Sequence, residues 1–293
     1  MIQFKQGEKM TINLQEKNLT EQERLGVEQL LQSQNPNIAD DLEQIWYLLN
    51  KTWQDMGCDN KNLNWDTIAQ FYAHPVWLLN GLFIETHELS MQIRKNIALY
   101  ISQQGFKRIC DYGGGFGTLA REIAQICPDI EIDIYEPFPS EYGKKCIENF
   151  ANIHFVDELK KDYYDCLVST DVLEHVDNVL ETFNIMLESL QIGGKALIGN
   201  CFYPVIDCHL PKHFHFRYTF KHIATLMGAT HIGDIQGAEY VQIYHKSKPT
   251  RVNLAVKLAG GGSKCLFPLL NMVRFVLRPC VRLLRKLKKK KEL

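Results

Sequence analysis

The segment Asp111-Tyr112-Gly113-Gly114-Gly115-Phe116-Gly117 constrains this chain more than any other feature. It follows a short apolar run, Arg108–Asp111, and leads straight into a helical run, Thr118–Ile126, that Pro128 stops. Glycines at a strand-to-helix turn let the backbone turn sharply and approach a ligand with no Cβ in the way. The first amides of the helix then face the space beyond the strand ends. A strand that hands over to a helix in this way belongs to a βα unit, and such units build parallel sheets covered on both faces. The acidic residue that opens the loop suits a cationic group.

The residues that follow keep the same rhythm. Strands are expected at Ile132–Glu136, Ile153–Val156 and Cys166–Thr170, with helices over Ser140–Phe150 and after a cap at Asp177. Leu180, Phe183, Leu187 and Leu190 form that last helix's inner face, and Gly193-Gly194 turn into a strand, Lys195–Gly199. Thr219 is expected to cap a helix through Met227, and alternating Val241 and Ile243 predict a final antiparallel edge strand. The fold class expected is α/β, a Rossmann-like, mostly parallel sheet with flanking helices, seven-stranded although periodicity places only six strands. Residues 1–104 read as an N-terminal helical cap, 105–248 as the ligand-binding domain and 249–293 as a basic C-terminal helical extension. Within the cap, Thr20 and Glu23 form a capping box, and Asn37 is placed to cap a helix carrying Leu42, Ile45, Trp46, Leu49 and Trp53. A helix from Asp66 should stop near His74, before Pro75, and another spans Thr86–Ser102 with Leu89, Ile93, Ile97 and Ile101 as its stripe.

Spacing decides between the ligands such a loop holds. The nicotinamide fingerprint G-x-G-x-x-G needs its third glycine at position 118, which is Thr118. The pattern D-x-G-x-G-x-G instead resembles the first motif of class I S-adenosylmethionine-dependent methyltransferases. That resemblance implies a cofactor, S-adenosylmethionine, whose methionine part is held by Asp111, Gly113, Gly115 and Gly117. Glu136, 25 positions after Asp111, takes the family's place for the acid that accepts the ribose hydroxyls. Asp157 stands where members contact the adenine amino group. Ser169-Thr170-Asp171-Val172-Leu173-Glu174-His175-Val176 is similar to the fourth motif, which adds Thr170 and Asp171 to the cofactor site. The resemblance covers roughly residues 105 to 245.

Methyl transfer asks the protein for alignment, water exclusion and often a base. His175, next to the cofactor-facing strand, is a candidate base, though a histidine there also serves packing at a helix start. His209-Leu-Pro-Lys-His213-Phe-His215-Phe-Arg217-Tyr218 follows the fifth strand, where class I members commonly build the acceptor site, and makes His213 and His215 further candidates. The aromatic and basic character of this loop suits a small-molecule or glycan-type acceptor. A metal site from Cys208, His209, His213 and His215 matches no zinc spacing, so no metal is expected.

Net charge is −1, but the stretch from Arg278 to Leu293 holds eight Lys/Arg and one Glu, leaving −8 on the body. Nucleic-acid binding by such a body is not expected. Arginines at 274, 278, 282 and 285 fall on one helix face before Lys288–Lys291, within an apolar run that Pro268 and Pro279 should interrupt or kink. Such an amphipathic extension suits an anionic membrane surface and, with it, a lipid-linked acceptor or a lipid methyltransferase. Nine cysteines without CxxC spacing and a polar amino-terminal stretch predict a reduced, cytoplasmic protein, peripheral on the inner membrane face where the tail engages it. The rival from another class is a scaffold that keeps the fold without turnover.

Overall fold

The computed structural model describes residues 10–291, with side chains through residue 276. Seven strands form one sheet: β1 (Arg108–Tyr112), β2 (Glu131–Tyr135), β3 (Ile153–Val156), β4 (Tyr164–Thr170), β5 (Leu190–Gly199), β6 (Ala229–Ile235) and β7 (Ala238–Lys246). Their order is β3-β2-β1-β4-β5-β7-β6. The first five run parallel, and β7 inserts antiparallel between β5 and β6. The expected seven-stranded, mostly parallel sheet is present. The alternating Val241–Ile243 segment is not its edge, however. The edge is β6, whose glycine at 233 and polar residues hide the apolar alternation that a sequence reading needs.

Helices follow the strands as the βα rhythm requires: α6 (Thr118–Ile126), α7 (Glu141–Ile147), α8 (Val179–Ser189) and α9 (Phe216–Leu226). Two caps differ from expectation. The Asn178 side chain, not that of Asp177, accepts from the amides of Leu180 and Glu181, and Asp177 pairs with Lys212 instead. Thr219 lies inside α9, where its hydroxyl meets Ser263 and the His215 carbonyl rather than capping. Leu190 opens β5, and the expected Gly193-Gly194 turn is present as an irregularity within it: pairing jumps from Tyr164–Leu190 to Cys166–Lys195, with Gly193 at φ +90°.

Five helices precede the sheet: α1 (Glu21–Gln32), α2 (Asp41–Asp55), α3 (Trp65–Tyr72), α4 (Pro75–Thr86) and α5 (Glu88–Ser102). The Thr20–Glu23 capping box is formed. Asp40, not Asn37, caps α2, its carboxylate accepting from Glu43 N. Pro75 ends α3 and also starts α4, because a missing N–H and a fixed φ suit the first turn of a helix. Helix α4 is apolar nearly all round, which is why no stripe announced it. Helices α1 to α4 share a core of Val27, Ile45, Leu48, Phe71, Leu79 and Leu82. The sequence reading grouped α5 with this cap. Its Ile97, Ala98 and Ile101 instead pack with Ile109, Ile123 and Ile132 of the sheet layer, so it is a flanking helix of the sheet.

A long helix, α10 (Leu254–Lys291), closes the chain. It runs through Pro268 and Pro279 without a break. Pro268 is exposed, so the carbonyl it leaves unbonded can turn to water. Val256 and Ser263 are buried against the domain. Arg278, Arg282, Arg285 and Lys288–Lys291, on which the one-face reading depends, lie outside the described side chains.

Candidate functional site

In a parallel sheet the carboxyl ends of the strands share one rim, and ligands sit in the crevice outside it. Register sets which residues meet there. Tyr112 pairs with Tyr135 and Tyr135 with Val156, while Asp111 pairs with Val168 and Thr170 with Gly199. Asp111, Glu136, Asp157, Thr170 and Asp171 are thereby brought to adjacent strand ends.

The glycine loop lies across this rim. Gly113 has φ +75°, and a Cβ there would stand 2.5 Å from Val172 Cγ2. Gly117, the residue before α6, has φ +70° and sits against Ile134 and Ile147. Gly115 donates its N–H to Glu136 Oε2 at 3.0 Å, and Phe138 N–H donates to Glu136 Oε1 at 3.1 Å. Burial raises the Glu136 carboxyl above its usual range, against the pull of those two donors. Each carboxylate oxygen keeps further lone pairs for a ligand.

Asp111 is buried at 4% exposure, and its Oδ2 has no hydrogen-bond partner in the protein. Burial pushes its pKa up to about 7; Arg94 opposes the rise and Glu136 adds to it. Asp171 adopts φ +55°, rare outside glycine, with its N–H bonded to Gly199 O at 2.8 Å. It is exposed, yet the protein atoms packed around it raise its carboxyl to about 6, against Arg94 and a hydrogen bond from Tyr240. The charge of Arg94, from α5, thus favours the ionised form of both rim carboxylates. Three more buried polar atoms, on β4, just after β5 and in the β4–α8 loop, lack protein partners: Ser169 Oγ, Asn200 Oδ1 and Glu174 Oε2. Buried polar atoms are normally paired, so a convergence of orphans at one rim marks a place built for a ligand.

The histidines divide. His175 Nδ1 donates to Cys208 O at 3.2 Å, and its ring meets that of His209 edge-on at 4.8 Å. Tyr72 and Trp77, from α3 and α4, wall it at 6.0 and 5.9 Å. Burial drives the His175 pKa down to about 3, with His209 adding to the fall, so the ring is neutral and weakly basic. His213 Nε2 donates to Val176 O at 2.7 Å, and burial lowers its pKa to about 4. His215 Nδ1 bonds Ser263 on α10 at 2.8 Å and lies against Phe216. Of the three candidate bases, only His175 is at the rim. His213 supports the loop beneath it, and His215 is committed to α10. Cys208, His209, His213 and His215 face different partners and share no centre.

Sequence reasoning missed Arg94, Tyr72, Trp77 and the pairing of His209 with His175. Each comes from a segment distant in the chain. The cap reaches the glycine loop through Phe116, whose ring lies against Gly81 of α4. Glu85, at the end of α4, binds Arg121 of α6, Lys17 at 2.9 Å and the Tyr142 hydroxyl at 3.2 Å. The cap thus covers the His175 side of the rim and is braced on the glycine loop.

Comparison with known proteins bears on this crevice. Residues 86–232 match the family described as "Methyltransferase domain". Among solved structures, the mitomycin 7-O-methyltransferase MmcR is similar at 14% identity over 68% of this chain and 66% of that one, with a TM-score of 0.47. The Burkholderia thailandensis 1,6-didemethyltoxoflavin-N1-methyltransferase, bound to S-adenosylhomocysteine, is similar at 11% identity over 58% and 83%, TM-score 0.43. The CurJ carbon methyltransferase is similar at 12% identity over 48% of this chain, which spans about half (49%) of its length, TM-score 0.39.

Proposed function

The chain belongs to the methyltransferase domain family, and from that membership we propose that it transfers the methyl group of S-adenosylmethionine to a small-molecule or glycan-type acceptor under its helical cap. The observation that carries the reading is the rim itself: a glycine cradle beside Glu136, with the orphaned, buried Oδ2 of Asp111 below it. These residues fit the donor. Glu136 would accept the ribose hydroxyls, and Asp157 follows β3 next to it for the adenine. Asp111 would hold the ammonium, Arg94 the carboxylate of the methionine part, and Gly113, Gly115, Gly117, Thr170 and Asp171 would line the rest. The bound donor supplies a methyl group on a positively charged sulfur. The protein's share is alignment and exclusion of water, and the aromatic roof of Tyr72 and Trp77 serves both. Calorimetric titration with S-adenosylmethionine and S-adenosylhomocysteine tests this: micromolar binding of both is expected, and a folded sample that binds neither leaves the scaffold reading.

A lipid or lipid-linked acceptor is favoured by one observation. Helix α10 exposes Leu258, Leu266, Met272, Phe275 and Val276, with Phe275 at 78%. Among the described residues no helix is long and apolar enough to cross a membrane. We infer that α10 lies on an anionic surface, where each basic residue contributes about 1 kcal/mol. The chain then divides into a cap, a donor-binding domain and this tail. Removing residues after 264 should abolish partition onto phosphatidylserine vesicles. Undiminished partition would refute the tail's role.

A further inference from the structure

We propose that Glu174, His175 and His209 form a binding site for a divalent first-row transition-metal cation on the acceptor side of the crevice. Each offers one ligand atom, a carboxylate oxygen or a ring nitrogen, and the three atoms lie within 4.8 Å of one another. Ligands around a tetrahedral cation at its usual bond lengths stand about 3.4 Å apart, so side-chain shifts on the order of an ångström complete the site.

Two independent features argue that the cluster is built for a cation. The first is the tautomer of the rings. His175 Nδ1 donates to Cys208 O at 3.2 Å and His209 Nδ1 donates to Tyr203 O at 2.8 Å. A neutral imidazole that donates from Nδ1 carries its lone pair on Nε2, the arrangement in which metal-binding histidines are held by their outer partners. The second is Glu174. It has no exposed surface, its Oε1 accepts from Cys201 N at 2.7 Å, and its Oε2 has no partner in the protein. Among the described residues no lysine or arginine makes an ion pair with it. A wholly buried carboxyl without a compensating cation keeps its proton, and a divalent ion held with two imidazoles would take that proton's place.

Two nitrogens and one oxygen favour the series from Mn2+ to Zn2+ over Mg2+ or Ca2+, which prefer all-oxygen sites. Three protein ligands leave a position open toward the crevice, the pattern of a working rather than a structural site. A hydroxyl oxygen of the acceptor would fill it, oriented and made more acidic by the cation. This last role rests on the methyltransferase reading; the cation site itself does not.

The test uses the full chain, stripped by a chelator and titrated with Mn2+ in the absence of donor, with free Mn2+ followed by electron paramagnetic resonance. One site per chain is expected, with 14N couplings from two imidazoles, displaced by Zn2+. H209A and E174Q should weaken binding roughly a hundredfold, and H222A, at an exposed histidine of α9, should bind as wild type. Failure of folded wild-type protein to saturate with Mn2+ or Zn2+ at millimolar concentration overturns the site, whatever the variants do. So does equal binding by folded H209A and E174Q. Titration of the stripped protein with S-adenosylhomocysteine separates the two proposals. Donor binding without metal binding removes only the cation site, and metal binding without donor binding removes only the donor reading.

Discussion

Replacing Glu136 with alanine tests the donor site at its most defined group. The carboxylate sits just beyond β2 and already accepts two backbone N–H groups, at 3.0 and 3.1 Å. Those bonds fix both oxygens at the rim, so a ribose bound as proposed would meet an acceptor that needs no reorganisation. Hydrogen bonds to a charged group contribute about 1.5–3 kcal/mol each. Two such bonds in a half-buried site, less the share that water recovers, leave a loss of about 2–3 kcal/mol. E136A should therefore weaken S-adenosylhomocysteine binding roughly 30- to 150-fold, at about 1.4 kcal/mol per factor of ten. E136Q keeps the shape and one acceptor oxygen, and should fall about tenfold. Calorimetric titration measures both. The thermal midpoint should move little, because the two freed N–H groups lie where water reaches them. Undiminished affinity in folded E136A would refute the ribose assignment. A collapse in stability would show instead that the Gly115–Glu136 bond holds the loop.

Three other perturbations probe the parts around it. G113A forces a Cβ into 2.5 Å contact with Val172 at φ +75°; left-handed strain and overpacking together should cost about 2–4 kcal/mol in denaturant unfolding, and V172A should restore part of it. Asp111 holds a proton up to about pH 7, and an ammonium group binds only its ionised form. Donor affinity should therefore rise up to tenfold per pH unit below about 7 and level off above it, a slope that D111N removes when Kd is measured between pH 5.5 and 8.5. Glu85 is buried, which alone would raise its pKa, but Lys17 and Arg121 outweigh that and hold it below the usual value. Its stabilisation is present above the unfolded pKa and is lost as pH falls through the folded one. E85Q should cost about 3 kcal/mol at pH 7 and flatten the acid limb of the stability profile followed by circular dichroism.

The half of the rim proposed to hold the donor is visible in the sequence because it is local. Strand β1, the loop and α6 are contiguous, and β3 and α6 fall within the bounds that periodicity assigns. Glu136 lies where an alternating strand and the family's place for a ribose-binding acid both put it, just beyond β2. Where reading failed, packing had overruled a local signal. Helix α4 is apolar on every side, so nothing marked an outward face. Asn178 beside Asp177 gave two good caps, and the choice fell to Lys212, which takes Asp177. Strand β6 alternates too weakly to be seen, because β7 supplies its only neighbour.

The cluster around His175 was illegible for a different reason: no single segment contains it. His175 gains its meaning from His209, 34 residues on, and from Tyr72 and Trp77 about a hundred residues before. From sequence alone His209, His213 and His215 are equivalent members of one cluster. What separates them is which backbone carbonyl or hydroxyl each ring meets, and only the folded loop decides that. His215 turns to Ser263 because α10 lies there, and His209 turns inward because Tyr203 O fixes its Nδ1. The cap that roofs this pocket is braced on the glycine loop through Phe116 and Glu85. Glycine loop and cap are therefore mechanically joined, and a change in one should be felt in the ligand affinity of the other.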